Sequence, residues 1–169
     1  MKIAVCSDIH DNIWVLERAL PGLRRADRLI FCGDFCAPFT LVQLAEGFPG
    51  PIHVVWGNND GDKDLLTRQA GRFPQVVLHG EQAEIEVDGV ALAVTHYPEK
   101  ARDLAGSGRY RIVCYGHDHQ AHDEQVNGCL LLNPGELMGR FGTSTYALLD
   151  PVAGTVEWCR VPPLSGGNG

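Results

Sequence analysis

The sequence predicts an α/β fold in which two mixed β-sheets face each other and are flanked by helices. In the first half of the chain, short apolar runs alternate with amphipathic segments, which is the order of a parallel sheet covered by helices. In the second half, apolar runs are joined by tight-turn signals, which favour antiparallel hairpins. About nine strand candidates result, which is many for one sheet.

Three strand–helix pairs make up the first half. In chain order they are KIAVC with NIWVLERAL, RLIFC with FTLVQLAEG, and IHVVW with DKDLLTRQAG. The first helix shows apolar residues at three- and four-residue spacing, and Asn12 is its expected N-cap. We expect Gly47 and Gly71 to end the other two helices, because glycine often follows the last helical turn.

The second half predicts hairpins and one short helix. Asp88-Gly89 separates two strand-like pieces, which is a strong hairpin signal, and Asn127-Gly128 repeats it. A helix near residues 99–104 precedes the apolar run RIVC, and DPVAG marks a last turn. We predict a single domain over residues 1–162 and a flexible tail over 163–169.

Composition narrows the class of protein. The chain has 169 residues, of which 44% are hydrophobic and 21% charged, an ordinary globular balance. Its net charge of -7 makes nucleic acid an unexpected partner. There is no run of the roughly 20 apolar residues that a membrane span needs, and the N-terminus lacks a signal-peptide pattern. We therefore predict a cytoplasmic protein without a membrane partner. The sequence is compatible with a homo-oligomer.

The six cysteines are expected to be reduced and structural, because several lie in apolar strand-like runs. Cys32 and Cys36 flank a candidate site residue, Asp34. No second cysteine pair at zinc-site spacing accompanies them, so we do not expect thiolate ligands there.

Metal-binding side chains follow five of the apolar runs. They are Asp8, His10, Asp34, Asn58, His96, His117 and His119. Aspartate or asparagine alone after a strand is commonly a turn residue or a cap. Four of the seven histidines also lie at these strand ends, however, and this coincidence favours a metal centre. Imidazole with carboxylate suits transition metals, and seven side chains suit two ions about 3.5–4 Å apart.

These segments resemble the calcineurin-like metallophosphoesterase superfamily, whose pattern is D-x-H, G-D, G-N-[H/C/N]-[D/E], a lone histidine and G-H-x-H. The matching segments are DIH (8–10), GD (33–34), GNND (57–60), TH (95–96) and GHDH (116–119). The segment NPGE (133–136) is similar to the NPGS segment of the small, single-domain YfcE/Vps29-like branch. The resemblance implies a four-layer αββα sandwich.

The resemblance also implies a ligand set and a reaction. Asp8, His10 and His119 would hold one divalent ion, Asn58, His96 and His117 a second, and Asp34 would bridge them. The ions would be manganese, with nickel, iron or zinc as alternatives. A hydroxide bridging the ions would attack the phosphorus of a small phosphoester in line, and a diester is favoured over a monoester. The alternative is a Vps29-like protein-binding scaffold with little or no catalysis.

Three positions depart from the superfamily pattern. Asn59 stands where many members have histidine, and with Asp34 and His96 it forms the candidate catalytic group. An amide donates a hydrogen bond but is no general acid, which predicts a preference for aryl esters. Tyr97 replaces a common glycine and either lines the pocket or packs. Glu136 replaces the commoner serine, with no consequence that the sequence reveals. His117 and His119 are expected on an extended segment, pointing the same way.

Overall fold

A computed structural model describes residues 1–163, which form eleven strands and four helices. In chain order these are β1 (Ile3–Cys6), α1 (Ile13–Leu23), β2 (Arg28–Phe31), α2 (Pro38–Gly47), β3 (Ile52–Val54), α3 (Lys63–Ala70), β4 (Val76–Leu78), β5 (Gln82–Val87), β6 (Val90–Thr95), α4 (Pro98–Gly106), β7 (Ile112–Cys114), β8 (Ala121–Val126), β9 (Cys129–Pro134), β10 (Thr145–Asp150) and β11 (Thr155–Arg160). Residues 164–169, most of the predicted tail, lie outside the described residues.

The strands form two sheets of mixed direction. Sheet A has the order β11-β10-β1-β2-β3-β4, in which β1 to β4 are parallel to one another and β10 pairs antiparallel with both β1 and β11. Sheet B has the order β5-β6-β7-β9-β8, in which the three central strands are parallel and the two edge strands antiparallel. The predicted pair of mixed sheets is confirmed.

Two-sided burial explains why the central strands are continuous apolar runs. In β1, Ile3 and Val5 belong to the core between the sheets, whereas Ala4 and Cys6 belong to the core beneath α1, α2 and α3. On the far side, α4 packs over sheet B through Ala101, Leu104 and Ala105. The layers are therefore helix, sheet, sheet, helix, as the resemblance implied.

The turn dipeptides correctly predicted the hairpins, whereas the glycines at the helix ends have other roles than a left-handed cap. Asp88 and Gly89 have φ of 52° and 76°, the backbone of a two-residue hairpin turn. Gly71 caps α3 with φ of -60° and is not left-handed. Gly47 is the last residue of α2, and a Cβ there would collide with Leu20 of α1, so close helix packing is its structural role. Strand β4 was not predicted, because it has only three residues and is half-exposed.

The two ends of the sandwich differ. Strands β1, β2, β3, β6 and β7 end at one side, where His96 Nδ1 reaches the Cys32 carbonyl across the two sheets at 2.8 Å. The hairpin turns lie at the opposite end. Two of them directly precede β6 and β9. The third follows β10, and the last residues of β10 lie beside the start of β1, where Leu149 pairs with Ile3. No helix within residues 1–163 has both the length and the apolar character to cross a membrane.

Candidate metal centre

All seven predicted ligand residues meet at the end of the sandwich where the parallel strands stop. Sheet A supplies Asp8 and His10 after β1, Asp34 after β2 and Asn58 after β3. Sheet B supplies His96 after β6, and His117 and His119 after β7. Loops of both sheets therefore build one site, and its residues fall into two groups.

The first group contains Asp8, His10 and His119. Asp8 Oδ1 lies 3.7 Å from His10 Nε2 and 3.4 Å from His119 Nε2. The two imidazole rings stack with their centroids 5.4 Å apart. Two ring nitrogens and a carboxylate oxygen thus converge on one point.

The second group contains Asn58, His96 and His117. Asn58 Oδ1 lies 3.0 Å from His96 Nε2 and 2.9 Å from His117 Nδ1, and the two nitrogens are 3.2 Å apart. His96 is fully buried, whereas Asn58 and His117 are exposed at the mouth of the site.

Asp34 lies between the two groups. Its Oδ2 atom is 3.5 Å from His10 Nε2 and 3.4 Å from His96 Nε2. Its Oδ1 atom accepts a hydrogen bond from the backbone N–H of Asn59 at 2.8 Å. One carboxylate oxygen therefore faces both groups, which is the arrangement expected of a shared ligand.

Neighbouring acceptors set the tautomers of two histidines. His96 Nδ1 lies 2.8 Å from the Cys32 carbonyl, and His119 Nδ1 lies 2.9 Å from Glu136 Oε2. Carbonyl and carboxylate oxygens only accept, so each Nδ1 carries the proton and, in the neutral ring, each Nε2 presents a lone pair to the site. The sequence analysis identified neither the Cys32 carbonyl nor Glu136 as a partner of these histidines.

The residues fit a cationic cofactor. Asp8 Oδ1 and His10 Nε2 are buried without a hydrogen-bond partner. Ligand atoms of Asp8, His10 and His119, and of Asp8, Asp34 and His96, lie within 4.8 Å of one another. Buried polar atoms without a hydrogen-bond partner are unfavourable, and a cation held between these oxygen and nitrogen atoms would satisfy them. Nitrogen and oxygen donors in this mixture suit divalent transition metals.

The electrostatics of the protein without metal also favour a bound cation. Burial alone would raise the pKa of Asp34, but hydrogen bonds from the His96 ring, which is protonated when no metal is bound, and from Asn59 outweigh it and lower the pKa to about 2. Asp8, followed by Cys36 and Asp34, raises the pKa of His10 to about 10 against the opposing effect of burial. The site thus keeps the Asp34 carboxylate ionised and attracts positive charge.

Left-handed backbone is concentrated in the site. Positive φ angles occur at Asp8 (54°), His10 (43°), Asp34 (61°), His117 (75°) and His119 (61°). The extended segment expected for His117 and His119 is therefore wrong: the chain bends there, and His117 N–H donates to Asp8 Oδ2 at 3.1 Å. Such conformations cost free energy in residues other than glycine and persist where the surroundings enforce them.

Asp60 fastens the loops that carry Asp34 and Asn58. Its carboxylate accepts backbone N–H groups from Asp34 at 3.0 Å, Cys36 at 2.8 Å and Gly57 at 2.7 Å. These contacts give Asp60 a loop-orienting role through three backbone amides.

The departures from the superfamily pattern also lie at the site. Asn59 Nδ2 donates to Asp34 Oδ2 at 2.8 Å, so its amide contacts the candidate bridging carboxylate directly. The Tyr97 ring stands 5.2 Å from His96 and 5.5 Å from His117 between centroids, which makes it a wall of the site. Cys36 Sγ lies 3.6 Å from His10 Nδ1, on the side of the ring away from the unpartnered Nε2.

Comparison with known proteins points to one family. Residues 1–154 match the sequence model of the calcineurin-like phosphoesterase superfamily domain. Phosphodiesterase MJ0936 of Methanocaldococcus jannaschii is 30% identical over 155 residues, which cover 89% of this chain and 93% of that protein.

Solved structures share the fold. The structure of an archaeal phosphodiesterase superposes with a TM-score of 0.87 at 28% identity, covering 95% of this chain and 99% of the other. Zinc-bound Vps29 of Entamoeba histolytica superposes with a TM-score of 0.66 at 20% identity, covering 95% and 98%. The second likeness concerns the fold alone.

Proposed function

The chain belongs to the calcineurin-like phosphoesterase superfamily, and from this membership we propose that it is a phosphodiesterase that works with two divalent transition-metal ions. The strongest support is the meeting of buried, unpartnered ligand atoms of Asp8 and His10 beside Asp34. The name of the relative from Methanocaldococcus jannaschii supports diester substrates.

Each of the two groups of side chains would bind one ion. Asp8, His10 and His119 would hold one ion, and Asn58, His96 and His117 the other, with Asp34 shared. When bound, such ions lower the pKa of coordinated water and stabilise the negative charge that develops on phosphate oxygens. Manganese is the proposed ion, with nickel, iron or zinc as alternatives that a metal screen would rank.

Asn59 acts on the shared carboxylate. Its amide keeps Asp34 Oδ2 turned toward His10 and His96. A neutral amide releases no proton near neutral pH, so Asn59 does not protonate a departing alkoxide. We therefore propose a preference for small diesters whose leaving group departs without a proton, such as aryl phosphates.

Hydrolysis of bis-p-nitrophenyl phosphate tests the proposal. Activity should require added Mn²⁺, and Asp34→Asn should lower kcat/KM by more than about 100-fold, because it removes the shared charge while keeping the shape. Asp103→Asn, on the exposed side of α4, is the matched control and should match the wild type. Equal activity with and without metal, or in Asp34→Asn, would contradict the proposal.

A protein-binding scaffold is the second candidate, because Vps29 has the same fold. The enzyme is favoured because all seven ligand positions retain residues that bind metal. Metal bound at the site without hydrolysis of aryl diesters, cyclic nucleotides or monoesters would favour the scaffold.

A further inference from the structure

Glu136 is a buried carboxylate with partners on two sides. It is 1% exposed. Its Oε2 atom accepts the Nδ1 proton of His119 at 2.9 Å. Its Oε1 atom accepts the backbone N–H groups of Phe141 at 2.6 Å and Gly142 at 2.8 Å. One side chain therefore joins a candidate metal ligand to a surface segment five and six residues further along the chain.

Phe141 and Gly142 end the surface segment Gly139–Gly142 and form one wall of a cavity beside the candidate metal centre. The cavity measures about 460 Å³ and is lined by Asp118, His119, Gln120, Phe141 and Gly142. The Phe141 side chain is 74% exposed, and its ring stands edge to face with His119 at a centroid distance of 5.4 Å. A substrate at the centre would pass or occupy this space.

The backbone around Glu136 is held without help from its carboxylate. Leu137 N–H donates to the Ser7 carbonyl at 2.9 Å, and Met138 N–H to the Asp8 carbonyl at 3.0 Å. The Glu136 carbonyl accepts from Thr145 N–H at 3.1 Å. Losing the carboxylate should therefore affect His119 and the Phe141–Gly142 amides specifically, and leave the strand pairing intact.

We propose that Glu136 is a positioning residue that couples the His119 imidazole to the Gly139–Gly142 segment, so that a cation on His119 fixes the wall of the adjoining cavity. This rests on the proposed metal-binding function. The carboxylate is planar and bonded at both oxygens, so a shift of the imidazole is transmitted to the two amides. Thermodynamic linkage then requires the reverse effect: an ordered segment strengthens metal binding.

Glu136→Gln tests this coupling directly. Glutamine has one acceptor oxygen and one donor nitrogen, so it cannot accept from His119 and from the segment together. Titration calorimetry with Mn²⁺ should show affinity weakened by about 10–100-fold, the usual cost of losing a group that orients a metal-bound histidine. Glu46→Gln, on the exposed face of α2, is the control and should bind like the wild type.

Hydrogen exchange supplies a readout independent of activity. In the wild type, Mn²⁺ should slow exchange of the Phe141 and Gly142 amides. In Glu136→Gln these amides should exchange quickly whether or not Mn²⁺ is present. Weakened Mn²⁺ binding without any change in this metal-dependent protection would overturn the coupling.

A second pair of variants changes the Gly139–Gly142 segment and leaves Glu136 and His119 intact. Gly142→Pro removes one N–H donor to Oε1, whereas Gly142→Ala keeps the donor and places its Cβ in open space. We expect Gly142→Pro to weaken Mn²⁺ affinity by about fivefold or more, through the reciprocal coupling, and Gly142→Ala to bind like the wild type.

The outcomes separate this inference from the proposed function. A wild-type protein that does not bind Mn²⁺ would overturn both. A wild type that binds Mn²⁺, with Glu136→Gln and Gly142→Pro binding equally well, would overturn the coupling alone.

Discussion

Asp34 reaches its position because the loops after β2 and β3 approach each other where neither carries a side chain. Gly33 has φ of 97°, and a Cβ there would lie 2.6 Å from the Gly57 nitrogen and 2.8 Å from His96 Nδ1. A Cβ on Gly57 would overlap the Asp34 carboxylate. The two glycines thus leave the space that the candidate bridging carboxylate occupies.

Gly57→Ala should therefore damage both stability and the site. Forcing the extra methyl group against Asp34 should cost about 1–3 kcal/mol of unfolding free energy, the usual range for overpacking. Urea denaturation measures the stability, and Mn²⁺ titration measures the site. Gly61→Ala, in the same loop but with open space around its Cβ, should change neither quantity. Equal behaviour of the two variants would contradict this account.

Asn59→His should change which leaving groups the enzyme tolerates. Imidazole can donate a proton near neutral pH, whereas the amide that now contacts Asp34 cannot. The ratio of kcat/KM for an alkyl diester to that for an aryl diester should rise by about 100-fold or more, the low end of contributions from general-acid catalysis. A ratio that stays the same would show that residue 59 supplies no acid.

Site residues whose position follows from strand direction were predictable from the sequence. Asp34 and His117 directly follow glycines after apolar runs, and parallel strands bring such residues to one edge. Glu136 was not predicted because its role depends on an amide pair five and six residues later folding back onto it. Neither spacing nor residue type encodes that contact, and the same holds for the Cys32 carbonyl that orients His96.

Among the elements, the β3–β4 edge of sheet A carries an unusual pair of histidines. His53 Nδ1 and His79 Nε2 lie 3.0 Å apart. Burial, with smaller effects from His79 and Arg28, lowers the pKa of His53 to about 4, and burial lowers the pKa of His79. Neither histidine is among the candidate metal ligands, and the two rings form a separate pair.

This pair should make stability depend on pH. The unfolded chain takes up protons at the ordinary histidine pKa near 6.5, whereas the folded chain resists protonation until about pH 4. The stabilisation is therefore complete above pH 6.5 and is lost as the pH falls from 6.5 toward 4. Urea denaturation at pH 7 and pH 5 should show a larger loss in the wild type than in His53→Gln/His79→Gln. An equal loss in both proteins would refute the assignment.

Elements were predictable where their length allowed a pattern to repeat. Helix α1 was found with its N-cap, and Asn12 Oδ1 accepts the Val15 N–H at 3.2 Å. Strand β4 has too few residues for an alternating pattern. Gly47 carried a helix-end signal, but its cause is contact with Leu20 on another helix, which local sequence does not reveal.

In the whole molecule, each candidate ion position draws ligands from both sheets. His119 of sheet B joins Asp8 and His10 of sheet A, and Asn58 of sheet A joins His96 and His117 of sheet B. Bound cations would therefore hold the two inner layers together at this end. Metal binding should stabilise the entire fold and not a single loop.

Thermal unfolding should report this stabilisation. With free Mn²⁺ at 100 times its Kd, binding to the native state adds about 2.7 kcal/mol per site, which raises Tm by about 5–10 °C in a domain of this size. Chelation with EDTA should reverse the shift, and Asp34→Asn should largely abolish it. A full shift in Asp34→Asn would mean that the metal binds elsewhere.

The hairpin turns at the other end of the sandwich offer a practical handle. Asn127-Gly128 lies at the start of β9, whose six residues span roughly 20 Å. A fluorophore, a purification tag or a linker to a solid support attached at this turn would stay a strand's length from the mouth of the site. Immobilised in that orientation, the protein would face incoming solutes with its ligand-bearing loops unobstructed.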